Sequence, residues 1–121
     1  MSNKKKKILI LTNHSYMLYR FRKELIEELM KNNEVILSMP FVGHHEDFMN
    51  MGLHCIETKM ERRGINPFTD LSLMNFYKKM LKEEKPDLVI TYSIKPNIYG
   101  GLMCSKLKIP FYANVQGLGT A

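Results

Sequence analysis

Hydrophobic positions along this chain alternate between short unbroken runs and longer stretches of helical period. Lys7 to Thr12 enclose the run Ile8-Leu9-Ile10-Leu11, as a strand buried on both faces requires. After polar Asn13 to Met17, apolar Leu18, Phe21, Leu25 and Leu29 recur at helical spacing, with Lys23, Glu27 and Lys31 as an i,i+4 charge ladder on another face. Asn32-Asn33 close that amphipathic helix, and Glu34 to Met39 give a second buried strand before Pro40. A short helix near His44 to Met51 stops at Gly52, and Leu53 to Glu57 reads as a third strand. A polar loop containing Arg62, Arg63, Gly64 and Pro67 leads to a long helix, roughly Asp70 to Lys85, with Leu73, Phe76, Tyr77, Met80 and Leu81 on its buried face and Pro86 closing it. Asp87 to Tyr92 form a fourth strand, Pro96 opens a helix that runs to about Leu107, and Phe111 to Val115 make a fifth strand after Pro110.

Strands alternating with helices of these lengths predict an α/β fold, a Rossmann-like doubly wound parallel sheet of about five strands. In such sheets ligands bind beyond the carboxyl ends of the strands, where the strand order reverses. With the order 3-2-1-4-5, the loops after the first and fourth strands flank that crevice. The first loop offers Asn13, His14, Ser15 and Tyr16; the fourth offers Ser93, Lys95 and Asn97 at the opening of a helix. Unpaired N–H groups at a helix start, with Lys95 beside them, would suit a phosphate. The competing reading leaves Lys95 in solvent and uses Ser93 or Asn97 only as a helix cap. Gly100-Gly101 inside a helix each cost about 1 kcal/mol relative to alanine, a cost that close helix–sheet packing would offset.

Arg62 and Arg63 follow the third strand on a loop that should open on the same edge, where they would clamp an anion or simply be solvated. His14 could contact a substrate directly, but no carboxylate partner is identifiable and no residue is assigned as a catalytic base. His44, His45 and His54 have no convincing ligand spacing, so neither a metal nor a cofactor is expected. Gly117 and Gly119, after the fifth strand, would let backbone amides approach a substrate or merely form a turn. They are not a dinucleotide fingerprint, because the loop after the first strand contains no glycine.

The chain has 121 residues, 45% of them apolar and 25% charged, which is one domain of ordinary globular composition. Disorder and a cysteine-stapled scaffold are excluded, and Cys55 and Cys104, far apart in sequence, fit a reducing cytoplasm. The apolar run after the first lysines is far too short for an export or membrane-spanning segment. Net charge is +6, and seven basic residues precede the first acid, Glu24. That field would be a solvated run or would attract an anionic membrane surface; no motif for nucleic acid accompanies it.

Tyr19-Arg20-Phe21-Arg22-Lys23-Glu24-Leu25, Gly64-Ile65-Asn66-Pro67, Lys85-Pro86-Asp87, Tyr92-Ser93-Ile94-Lys95-Pro96-Asn97-Ile98-Tyr99-Gly100 and Gly117-Leu118-Gly119-Thr120, in this order and spacing, resemble family 4 glycosyltransferases of bacterial surface-polysaccharide assembly. The resemblance spans nearly the whole chain, residues 1–121, and corresponds to the amino-terminal, acceptor-side domain of a GT-B architecture. It implies retaining transfer of a sugar from a nucleotide sugar to a free or lipid-linked glycan acceptor, typically carried on polyprenyl diphosphate. Such transfer would take place in the cytoplasm, peripherally at the inner face of the plasma membrane, in capsular or other surface-polysaccharide synthesis. It also implies a carboxy-terminal donor-binding domain, absent from these residues, without which the fragment is expected to be inactive. No Asp-x-Asp occurs, so a metal-bound diphosphate is not expected. Two other readings stand beside this one: a non-catalytic acceptor-binding or membrane-docking subunit that works with a separate donor-binding chain, and an unrelated flavodoxin-like binding domain.

Overall fold

A computed structural model describes residues 6–13, 15–41, 45–58 and 67–114. Five strands, β1 (Lys6–Leu11), β2 (Asn33–Met39), β3 (His54–Glu57), β4 (Leu88–Tyr92) and β5 (Phe111–Asn114), form one parallel sheet in the order β3-β2-β1-β4-β5. Helices α1 (Ser15–Asn32), α2 (His45–Asn50), α3 (Pro67–Glu84) and α4 (Gly101–Leu107) connect them. The first turn of the last crossover, Pro96–Gly100, is wound as a π-helix. The order reverses between β1 and β4, as the doubly wound reading requires.

The unbroken apolar runs are explained by two cores, one on each face of the sheet. Ile8 and Ile10 of β1, Val35 and Leu37 of β2, and Ile90 and Tyr92 of β4 point to one side, against Ile26 of α1 and Phe48 of α2. Leu9, Leu11, Ile36 and Val89 point to the other, against Leu73, Tyr77, Met80 and Leu81 of α3 and Met103 and Cys104 of α4. The register pairs Ile8 with Val35 and Ile10 with Leu37, so each face stays apolar across the strands. Tyr77 lies in the second core with a hydroxyl that finds no hydrogen-bond partner among the described residues. Burying that group unpaired has a desolvation cost, so Tyr77→Phe is expected to raise stability by about 1 kcal/mol, read from the urea midpoint.

Element boundaries depart from the periodicity reading at the starts of two helices. Helix α1 begins at Ser15 and not after Met17, and α3 begins at Pro67, three residues before Asp70. Proline at the first helical position lacks an N–H that would have had no partner there. Lys31 pairs with Glu28 at 2.7 Å, an i,i+3 contact, in place of the Glu27 rung of the expected ladder. Gly52 ends α2 with φ +99°, as its position suggested. Lys108 ends α4 with φ +60°, where a β-carbon is crowded. Lys108→Gly is expected to stabilise the fold by about 0.5–1 kcal/mol in the same unfolding assay, the relief of strain exceeding the added chain entropy.

Candidate functional site

Because β1 pairs with β4 in parallel, the turns leaving both strands lie on the same rim of the sheet. Hydroxyls sit beneath that rim. Thr12 after β1, Ser38 in β2, Thr58 after β3 and Thr91 in β4 are all buried. Their backbones stitch the strand exits together: Thr12 N–H donates to Ser38 O at 3.0 Å and Thr58 N–H to Met39 O at 2.9 Å. The Ser38 and Thr58 hydroxyls are hydrogen-bonded to each other. Asn13, half-buried, stands at the exit of β1 beside this floor. Beyond β2, the Phe41 and His45 rings stack in parallel with centroids 4.5 Å apart. Farther round, a groove of about 530 Å³ runs between Glu57 and the first turns of α3, lined by Phe68, Thr69, Ser72, Leu73 and Phe76.

The turn after β4 is the most constrained part of the rim. Ser93, half-buried, has φ +80°, an uncommon backbone conformation for a residue with a side chain. Its carbonyl accepts the Asn97 N–H at 2.9 Å. The Asn97 side chain does not cap the helix. Its Oδ1 accepts from the Thr91 hydroxyl at 2.6 Å and its Nδ2 donates to Asn114 O at 2.8 Å, clamping β4 to the end of β5. Asn114 Nδ2 returns a bond to Thr91 O at 3.3 Å.

Lys95 is the largest departure from the sequence reading, which offered either a free ammonium beside a helix start or a solvated one. It is 8% exposed, and its Nζ donates to Asp70 Oδ1 at 2.9 Å. The second oxygen of Asp70 accepts the Tyr99 hydroxyl at 3.0 Å, and this bond raises the Tyr99 pKa above its ordinary value. One of the three ammonium N–H donors is thus committed to Asp70, and the side chain is nearly closed to solvent. At the helix start Pro96 has no N–H to offer and the Asn97 N–H is already bonded to Ser93 O. No side chain caps this turn, so the capping reading of Ser93 and Asn97 is not what the structure shows either.

His14, Arg62, Arg63, Gly117 and Gly119 lie outside the described residues, as do the side chains of Ser15 and Tyr16. Gly100 and Gly101 have the packing role expected of them: a β-carbon on Gly100 would stand 2.6 Å from Leu11 Cδ1, and one on Gly101 would stand 3.0 Å from the Phe111 ring. The first two described lysines are not at the rim. Lys6 and Lys7 open β1, a strand's length of about 17–20 Å from the carboxyl edge. Lys7 Nζ contacts Glu84 O at 2.9 Å and Glu84 Oε1 at 3.5 Å. Its N–H donates to Asp87 Oδ2 at 2.8 Å, which explains the acid entering β4. Arg22 stacks over the Tyr92 ring at 5.8 Å.

Burial raises the Cys55 and Cys104 thiols to about 11, so both stay protonated near neutrality and neither is a ready nucleophile. Among the described residues no cluster of His, Cys, Asp or Glu could hold a metal ion. Among the same residues no helix is long and apolar enough to cross a membrane. Asp70 escaped the sequence reading because its partners lie 25 and 29 residues away. An acid in the first turn of a helix is usually explained by the helix dipole alone.

The doubly wound parallel sheet, with a polar floor along its carboxyl rim, defines a Rossmann-like α/β domain. Over residues 7–120 the chain matches the glycosyl transferase 4-like family, and it belongs to that family. It is 29% identical over 116 residues to an N,N'-diacetylbacillosaminyl-diphospho-undecaprenol alpha-1,3-N-acetylgalactosaminyltransferase of Campylobacter jejuni, covering 94% of this chain and 31% of that protein. A solved glycosyltransferase from Rickettsia africae superimposes with a TM-score of 0.75 at 19% identity, over 95% of this chain and 31% of that one. The carboxy-terminal domain of a Pyrococcus furiosus hydrogenase superimposes with a TM-score of 0.70 at 15% identity, over 95% and 96% of the two chains. The fold alone is therefore shared across activities, and it is the family match that sets aside an unrelated flavodoxin-like domain. The chain spans about a third of the length of the curated relative, 31%.

Proposed function

We propose that this chain forms the acceptor-side lobe of a retaining glycosyltransferase that moves a sugar from a nucleotide sugar to a polyprenyl-diphosphate-linked glycan, in the assembly of a surface polysaccharide. The observation that carries the reading is the alignment of 94% of the chain with a transferase whose name specifies a diphospho-undecaprenol-linked saccharide. The carboxyl rim supports it, since half-buried Asn13 and Ser93 stand there with polar side chains that suit the hydroxyls of a saccharide. Asn13 and Ser93 are the described candidates for contact with the acceptor. His14, Ser15, Tyr16, Arg62, Arg63, Gly117 and Gly119 join them from their places in the sequence, whereas Lys95 and Asn97 act through the turn they hold. Donor binding belongs to a second lobe, and these residues alone do not turn over. Work at the inner face of the membrane, through the basic amino-terminal end, completes the reading.

The test is transfer by the intact protein from a panel of nucleotide sugars to a polyprenyl-diphosphate-linked saccharide, with the product linkage read by NMR. Transfer with retained anomeric configuration, unchanged by a chelator, is the expected result. Inversion would sink the retaining assignment, and loss of transfer on chelation would sink the expectation of metal independence. No transfer from any donor would overturn the proposal as a whole. Robust turnover by residues 1–121 alone would overturn the division of labour between lobes.

A further inference from the structure

The turn after β4 is strained at Ser93 and yet bolted down from two sides. On one side Asn97 ties it to Thr91 and Asn114. On the other, Asp70 reaches from the first turn of α3 and takes both Lys95 Nζ at 2.9 Å and Tyr99 OH at 3.0 Å, one on each carboxylate oxygen. The side chains of Asp70 and Lys95 are only 8% and 9% exposed. A buried ion pair of this kind is an indifferent way to gain stability, because removing both charges from water is nearly as unfavourable as their attraction is favourable. What it does is fix geometry. Lys95 and Tyr99 are four residues apart and flank the whole first turn, so a single carboxylate sets the position of the segment from Ser93 to Gly100. A positive φ at a residue with a side chain persists only where its surroundings over-determine it. Here the surroundings are Asp70 on one flank and Asn97 on the other.

We infer that Asp70 is a positioning residue for acceptor binding: through Lys95 and Tyr99 it holds the π-helical turn, and with it Ser93, in the conformation presented at the carboxyl rim. This rests on the acceptor-side reading above and extends it to a residue in the first turn of α3. Asp70 itself touches no substrate. Its loss should loosen the turn without unfolding the sheet, and the consequence should fall on the acceptor and spare the donor.

The experiment uses the intact protein and compares Asp70→Asn and Tyr99→Phe with Ile26→Ala, a core change in α1 on the opposite face of the sheet. Acceptor KM, donor KM and kcat are measured well below the melting temperature of every variant, together with amide exchange across residues 93–99. Asp70→Asn is expected to raise acceptor KM by about ten- to a hundredfold, with donor KM nearly unchanged, and to speed exchange at Ser93 to Tyr99. Tyr99→Phe, which removes one hydroxyl, should move both readouts in the same direction by less, and it serves if Asp70→Asn does not fold. Asp70→Glu, which keeps the charge, should recover part of the loss. The inference is overturned if the two site variants change acceptor KM no more than Ile26→Ala does, or if donor KM rises equally. Wild-type protein that transfers no sugar at all would instead defeat the acceptor-side reading, and the inference would fall with it.

Discussion

Replacing Lys95 by methionine is expected to lower unfolding free energy by about 3–5 kcal/mol, because it takes an ammonium away from a nearly buried carboxylate. The ammonium and Asp70 meet at 2.9 Å with their side chains 9% and 8% exposed, so solvent screening takes little from the interaction. Tyr99 remains as a donor to the second carboxylate oxygen, which places the loss toward the lower end of that range. Removing both charges in Lys95→Met combined with Asp70→Leu should recover much of the deficit, since a well-packed apolar pair needs no desolvation. Urea unfolding of the four proteins in the double-mutant cycle gives the coupling directly. A single variant as stable as wild type would mean that the pair is open to water in solution.

Gly100→Ala should destabilise the chain by about 1–3 kcal/mol, although alanine is the better helix former by about 1 kcal/mol. The added methyl would stand 2.6 Å from Leu11 Cδ1 and 3.4 Å from Thr91 Cγ2. Leu11 is fully buried in the second core and cannot swing into solvent. Trimming the obstructing atom should therefore rescue the variant: Leu11→Val in the Gly100→Ala background is expected to cost less than the two changes added separately. Strict additivity in thermal or urea unfolding would show that the helix has shifted away from the sheet and that the close approach is not obligatory.

The π-helical winding of Pro96–Gly100 belongs to the same crowding. Gly101 N–H bonds to both Asn97 O and Ile98 O, and the two glycines bring the helix down onto β1 and β5 at Leu11 and Phe111. The turn is thus fixed by small residues below, by Asn97 toward β5 and by Asp70 toward α3. Its sequence, Lys95-Pro96-Asn97-Ile98-Tyr99-Gly100, reads as a surface recognition motif when taken alone. In the folded chain three of its side chains are spent on the protein itself.

The strands, the helices between them and the two-faced core follow from local pattern, whereas the strand order was decided by the tertiary structure. An unbroken apolar run such as Ile8 to Leu11 can be buried on both sides only in a parallel sheet covered by helices, and the spacing of Leu73, Tyr77 and Leu81 admits only a helix. Those are properties of neighbouring residues, so the sequence by itself determined them, along with the rim on which Asn13 and Ser93 stand. Whether Lys95 meets solvent or a carboxylate, and whether Asn97 caps a helix or joins two strands, depended on partners 17 to 29 residues away. Only the tertiary structure decided those roles, because desolvation and hydrogen-bond geometry are set by which distant groups the fold brings within about 3 Å, and no periodicity in the chain records that.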